Sequence, residues 1–184
     1  SPGGSVLDGW AIANGLKNHP AHIVGRVEGL AASMGSVVLM SCDEIEVPKN
    51  AYVMIHNVSG GAFGEADELE SMAALMRKLQ DDVTDFYVAR TGQDREAVVE
   101  MMAAETWMNG EDALEMGFAT RVLDAVPVAA SADLENLAAK FENVPEGFLE
   151  AIAESAEELA GESEEVSEEE KEELEEELQE EVSG

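Results

Sequence analysis

Apolar positions along this chain recur with two spacings, every second residue over short runs and every three to four over longer ones, and the switches between them mark its elements. After the Gly3-Gly4 pair, residues 6–16 read as a helix, and His22-Ile23-Val24-Gly25-Arg26-Val27 as a buried strand. The run Ser36-Val37-Val38-Leu39-Met40 falls in a second helix expected over 33–41, followed by strands near 44–47 and 52–55. The longest helix is expected from residue 65 toward residue 90. There Leu69, Met72, Met76, Leu79, Val83 and Phe86 return every three to four residues and form one apolar face. Thr91-Gly92 ends that helix, and shorter ones are expected over 94–102 and 110–116. Strands alternating with helices predict an α/β fold, with no internal sequence repeat.

A chain of 184 residues holds one domain with a genuine core plus an appendage. The net charge of −31 is unevenly spread. Residues 1–140 hold 22 acidic and 9 basic side chains, whereas residues 141–184 hold 19 acidic and 1 basic. The predicted organisation is a domain over 1–124, a linker over 125–145 with Pro127 and Pro145 among alanines, and an acidic low-complexity tail over 146–184. The tail is expected to be a solvated arm, disordered or helical. Leu174, Leu178 and Val182 outline one face of a transient helix, which like-charge repulsion opposes. An acidic balance of this size argues against direct nucleic-acid binding, which needs basic surface to displace counterions. No run of eighteen apolar residues is present to span a membrane, and no signal sequence is visible.

Several residues read as structural. Cys42, the single cysteine, offers no disulfide framework and is expected as a small buried filler. His19 and His22 have no cysteine partner and no carboxylate at metal-ligand spacing, so no metal site is expected. Gly3-Gly4 and Gly60-Gly61 belong to no phosphate-cradling pattern, and no nucleotide or other cofactor is implied. Met72, Met76, Met101, Met102 and Met108 read as core or subunit contacts.

The candidate chemistry lies in Ser33 and His56. Ser33 sits among small residues, Ala31-Ala32-Ser33-Met34-Gly35, just ahead of an apolar run, and reads as a nucleophile at the start of a buried helix. His56 closes the run Ala51-Tyr52-Val53-Met54-Ile55 and reads as a base at the end of a strand. A free hydroxyl is a poor nucleophile at neutral pH and needs such a base. Taken singly, Ser33 would read as a helix cap and His56 as a strand-end histidine.

Their order along the chain carries more. Ser1-Pro2-Gly3-Gly4-Ser5-Val6, Gly29-Leu30-Ala31-Ala32-Ser33-Met34-Gly35, Met54-Ile55-His56-Asn57 and Ser59-Gly60-Gly61-Ala62-Phe63-Gly64 resemble the Clp-type self-compartmentalising serine peptidases. Thr91-Gly92-Gln93, Glu105-Thr106-Trp107-Met108 and Glu111-Asp112-Ala113-Leu114-Glu115-Met116-Gly117 continue the likeness over residues 1–124. His56-Asn57-Val58 in place of the family's usual His-Gln-Pro, together with the Glu-Thr-Trp-Met stretch, is similar to the phage and prophage branch.

The resemblance implies a crotonase-like spiral of β-β-α units with a long handle helix through which two rings interlock. It implies Ser33 as nucleophile, His56 as general base, and the backbone N–H groups of Gly4 and Met34 as oxyanion hole, aided by the helix starting near Ser33. It places the triad acid at Glu105, with Trp107 packed beneath that loop; Asp112 lies in the next helix and Asp124 comes too late. It also implies that the family's N-terminal strands and axial loops precede Ser1.

The function so implied is a serine endopeptidase whose peptidase core itself needs no ATP, located in the cytoplasm of a bacterium or an infected cell and possessing no cofactor. Implied partners are further copies in heptameric or stacked rings, polypeptide substrates, and an ATPase chaperone or a capsid or scaffold protein in head maturation. The competing readings are a catalytically inactive assembly protein of the same fold and an acyl-CoA enzyme of the crotonase fold.

Overall fold

The computed structural model describes residues 1–125 and 141–150. Most of the expected linker and nearly all of the expected acidic tail, including Leu174, Leu178 and Val182, lie outside the described residues. Helix boundaries follow local chemistry. Ser5 caps α1 (Val6–Lys17) by accepting from the Asp8 amide at 3.4 Å. α2 (Met34–Leu39) starts directly after Ser33. α3 (Ala66–Thr91) opens on a reciprocal Glu65–Glu68 capping box and closes on Gly92 in the left-handed region, φ 73°. α4 (Arg95–Ala103) is tied back to α3 by Arg95, which pairs with Asp81 at 2.7 Å and Asp85 at 3.0 Å. Asn109 accepts from the Glu111 and Asp112 amides and starts α5 (Gly110–Glu115).

The strands form two three-stranded sheets. β1 (Val24–Arg26), β3 (Glu44–Pro48) and β6 (Arg121–Leu123) lie parallel in that order. In the second sheet β2 (Leu30–Ala32) runs parallel to β4 (Tyr52–Ile55), and β4 runs antiparallel to β5 (Thr106–Met108). The architecture is a mixed α/β fold. Between and around the sheets lies one core of buried residues, including Val37, Val47, Val53, Ile55, Val98, Met108 and Phe118. A second, smaller cluster joins Leu30, Ala32, Met54 and Phe148.

The pattern-based expectations meet this structure unevenly. The five helices fall where expected, to within a residue or two. The expected buried strand over 22–27 is shorter and lies at a sheet edge, with Val24 48% exposed, because β1 pairs only with β3 among the described residues. β2, β5 and β6 were not expected as strands; three residues each are too few to show a period of two. The apolar face of α3 is buried only toward its C-terminal half, at Val83 and Tyr87. Leu69, Met72 and Leu75 stay 40–49% exposed. A helix of 26 residues reaches about 39 Å at 1.5 Å per residue, and its buried residues, Val83, Thr84 and Tyr87, all lie in its C-terminal half.

Register brings the chemistry together. Ala32 pairs with Met54 and Ile55 with Thr106. One residue further along each strand, the chain reaches Ser33 after β2, His56 after β4 and Glu105 just before β5. Three adjacent strands therefore deliver three candidate side chains to the same end of one sheet.

Candidate active site

Ser33 occupies the tight turn between β2 and α2 with φ 53° and ψ −126°, a region a non-glycine residue enters at a cost. Surrounding bonds hold it there. Its amide donates to the Met54 carbonyl at 2.9 Å, and its carbonyl accepts from the Ser36 amide at 2.9 Å and the Ser36 hydroxyl at 2.6 Å. Gly3 passes so close that a Cβ would stand 2.6 Å from Cβ of Ser33 and 2.9 Å from the Met34 nitrogen. No larger residue fits at that crossing. Although Ser33 is the N-cap residue of α2, its side chain makes no capping bond. The hydroxyl instead meets Nε2 of His56 at 2.8 Å.

The support behind Ser33 runs deeper. The Ser36 hydroxyl donates to the Ser33 carbonyl, so at its 2.7 Å contact with Tyr87 it accepts from the phenol. Tyr87 is fully buried, and burial pushes its phenol well above the ordinary value, so it remains a donor across the physiological range. Sequence reasoning did not single out this chain of hydroxyls. Ser36 at three residues after Ser33 was a weak signal, while Tyr87 sits in a helix whose pattern speaks only of packing.

His56 follows β4 directly. Burial lowers its pKa from the ordinary histidine value, and the nearby charge of Glu105 opposes that shift. The imidazole is therefore neutral at neutral pH, the form in which Nε2 can take a proton from Ser33 while Nδ1 carries the ring hydrogen. The segment after it is pinned to α3: Gln80 donates to Oδ1 of Asn57 at 2.6 Å and accepts from the Val58 amide at 2.5 Å.

Glu105 stands on the connection from α4 to β5 with φ 51°, the other non-glycine residue at positive φ among the described residues. Its Oε1 accepts from the indole of Trp107 at 3.2 Å, the Glu142 amide at 2.9 Å and the Asn143 amide at 2.8 Å. The carboxylate thus lies close enough to act on the imidazole by charge, while its hydrogen bonds go to the tryptophan and the backbone at 142–143. Asp112 caps α5 and Asp124 pairs with Lys49, both apart from this cluster.

A cleft of about 240 Å³ runs beside these groups. Ser33 and His56 line it with Gly4 and Met34, and Val37, Val83 and Tyr87 form its apolar side. Phe141 also lines it, a residue that sequence reasoning had placed in the linker. Among the described residues no group of three histidine, cysteine or acidic side chains could hold a metal, and His22 is paired on the surface with Asp43 and Glu44. No helix among them is long and apolar enough to cross a membrane.

Comparison with known proteins gives the chain a family. The sequence profile of the Clp protease family matches residues 1–126. ATP-dependent Clp protease proteolytic subunit 1 of Protochlamydia amoebophila is 34% identical over 130 residues, covering 68% of this chain and 63% of that protein. Its counterpart from Chlamydia muridarum is 34% identical over 128 residues, covering 67% of this chain and 66% of that protein. The proteolytic subunit from Deinococcus radiodurans is 35% identical over 126 residues, or 67% and 61%. The chain thus spans less than two thirds of the length of these relatives.

Proposed function

We propose, from the premise that this chain belongs to the Clp protease family, that it is a serine endopeptidase working through Ser33 and His56. The observation that carries the reading is the 2.8 Å contact between the Ser33 hydroxyl and Nε2 of a neutral imidazole, in a serine that declines its capping role. In the reaction His56 takes the Ser33 proton as Oγ attacks the peptide carbonyl. The amides of Gly4 and Met34 hold the oxyanion that forms. The tetrahedral intermediate collapses, His56 hands its proton to the departing amine, and an acyl ester remains on Ser33. Water, deprotonated by His56, then releases the acid and restores the serine. Glu105 stabilises the imidazolium by its charge, as an aspartate does in other triads.

The finer parts of the reading rest on the family. The substrates are polypeptides, fed by an ATPase partner in keeping with the ATP dependence in the relatives' names or, in a phage-related setting, drawn from capsid and scaffold proteins in the cytoplasm. The fold is a crotonase-like spiral, copies join into rings, and two rings interlock through the handle formed by α3, whose exposed Leu69, Met72 and Leu75 support such a contact. A fluorophosphonate probe tests the core of the proposal. Stoichiometric labelling at Ser33, lost in Ser33→Ala and accompanied by hydrolysis of casein or a short peptide, is the expected result. A protein that assembles but neither labels nor hydrolyses would instead be an inactive assembly protein, a reading favoured only by the engagement of Glu105 away from the imidazole.

A further inference from the structure

Residues 141–150 follow the domain in sequence but lie against its candidate site. Phe148 is buried at 2% exposure and meets Tyr52 edge-on and Trp107 at a tilt, both at 5.4 Å between ring centroids. Asn143 donates its side-chain amide to the Ala104 carbonyl at 3.2 Å, beside the two backbone amides that Glu105 accepts. Residues 146–150 are helical and open on Pro145, whose carbonyl accepts from the Phe148 amide at 3.0 Å. These anchors leave Phe141 at one precise place, since its ring stands edge-on to Trp107 at 5.5 Å and edge-on to the His56 imidazole at 6.0 Å and 87°. Phe141 also forms one wall of the cleft that Ser33 and His56 share.

We propose that Phe141 is a positioning residue for His56, contributed by the segment beyond the family domain, which fixes the plane of the imidazole and keeps water from it. The inference rests on the serine–histidine reading above but concerns a residue outside the matched stretch of 1–126. An aromatic ring packed perpendicular to an imidazole restricts its rotation, and shields it without competing for its hydrogen bonds. Trp107 backs the phenyl ring, and Phe148 backs Trp107, so the ring cannot retreat. Around the imidazole, the β2–α2 turn presents the neutral Ser33 hydroxyl, the connection before β5 presents Glu105, and α3 presents Val83 and the protonated phenol of Tyr87 across the cleft. Among the described residues, Glu105 is the charged group acting on it, and it favours the protonated ring. The opposing and larger influence is burial, to which Phe141 contributes.

The test uses the full chain, with Phe141→Ala and Phe141→Leu. Histidine NMR titration, assigned with a His56→Gln sample, requires no turnover and reads the shielding directly. Loss of the ring should move the His56 titration to higher pH, and leucine should restore most of the wild-type value. Fluorophosphonate labelling should then fall about three- to tenfold at pH 6 in Phe141→Ala, and less than twofold at pH 8, because more of the base is protonated only in acid. A residue that merely stabilised the fold would lower the melting temperature without moving either profile. Should Phe141→Ala fail to fold, Phe141→Val is read in its place with the same outcomes. An identical His56 titration in the folded variant and the wild type overturns the proposal. Failure of the wild type to label overturns the peptidase reading, while the titration still decides the role of Phe141.

Discussion

The strand ends that carry Ser33, His56 and Glu105 and the first half of α3 solve opposite problems within one chain. At the strand ends, every turn is over-determined. Ser33 holds a costly φ of 53° because Met54, Ser36 and Tyr87 secure it, and Gly3 leaves room for it. In α3 the first turns are secured, among the described residues, mainly by their own helix and capping box, and they leave Leu69, Met72 and Leu75 40–49% exposed. The first region is finished within the single chain. The second buries its apolar side chains only if another surface covers them, since exposed apolar groups gain nothing from folding alone.

Substitutions sharpen that contrast. The largest effect is expected for Ser33→Ala, which removes the covalent route and should lower kcat by about a million-fold, as in other serine peptidases. Its melting temperature should stay near wild type or rise, since alanine replaces a serine that caps nothing. Residual turnover within a hundredfold of wild type would break the assignment. Next in size, Glu105→Gln should cost about a hundredfold in kcat, less than the roughly 10⁴-fold of an Asp→Asn change in another triad, because Oε1 accepts from Trp107 and two backbone amides. Activity within a few-fold of wild type would leave a serine–histidine dyad, with Glu105 serving only its own loop.

Ser36→Ala should act on stability. It strands the buried Tyr87 hydroxyl and removes a donor from the Ser33 carbonyl, a loss of about 1–3 kcal/mol measurable by denaturant midpoint. Adding Tyr87→Phe should recover part of that loss, and a double variant no better than the single one would mean that the two hydroxyls do not act as a pair. The smallest effect on the folded chain is expected for Leu75→Glu, within about 0.5 kcal/mol, as for ordinary surface positions. Sedimentation should nevertheless show a smaller assembly. Unfolding by Leu75→Glu would place the first half of α3 in the core and erase the contrast between the two regions.

The same contrast sets how much could be read in advance. The longest helix was legible because its apolar period runs for several turns and Gly92 ends it, and the structure adds the caps at Glu65 and Asn109 that the pattern did not reveal. Ser33 and His56 were legible as neighbours only through the order of their motifs. The strand register that joins them pairs β4 with β2, which is too short to display a pattern. Glu105 was found by its place before Trp107, whereas its bonding to the amides at 142–143 had no counterpart in the sequence. Phe141 and Phe148 were missed because two aromatic residues in a glutamate-rich stretch have no period, and their partners Tyr52 and Trp107 lie far back in the chain. Burial along α3 was overestimated for a related reason. An apolar stripe states which side chains share a face, but not how far the covering surface extends.

The register of β2, β4 and β5 also sets where this chain can gain or lose residues. Successive side chains of a strand point to opposite faces, so one residue inserted within Tyr52–Ile55 would turn His56 away from Ser33 while leaving composition and hydrophobicity almost unchanged. The same insertion at Gly60-Gly61, in the exposed connection before α3, would alter neither the strand pairing nor the hydroxyl chain. Length variation among descendants of this sequence should therefore collect between β4 and α3 and be nearly absent from the nine positions 52–55 and 30–34. The geometry of the candidate site is written as a count of residues as much as a choice of them.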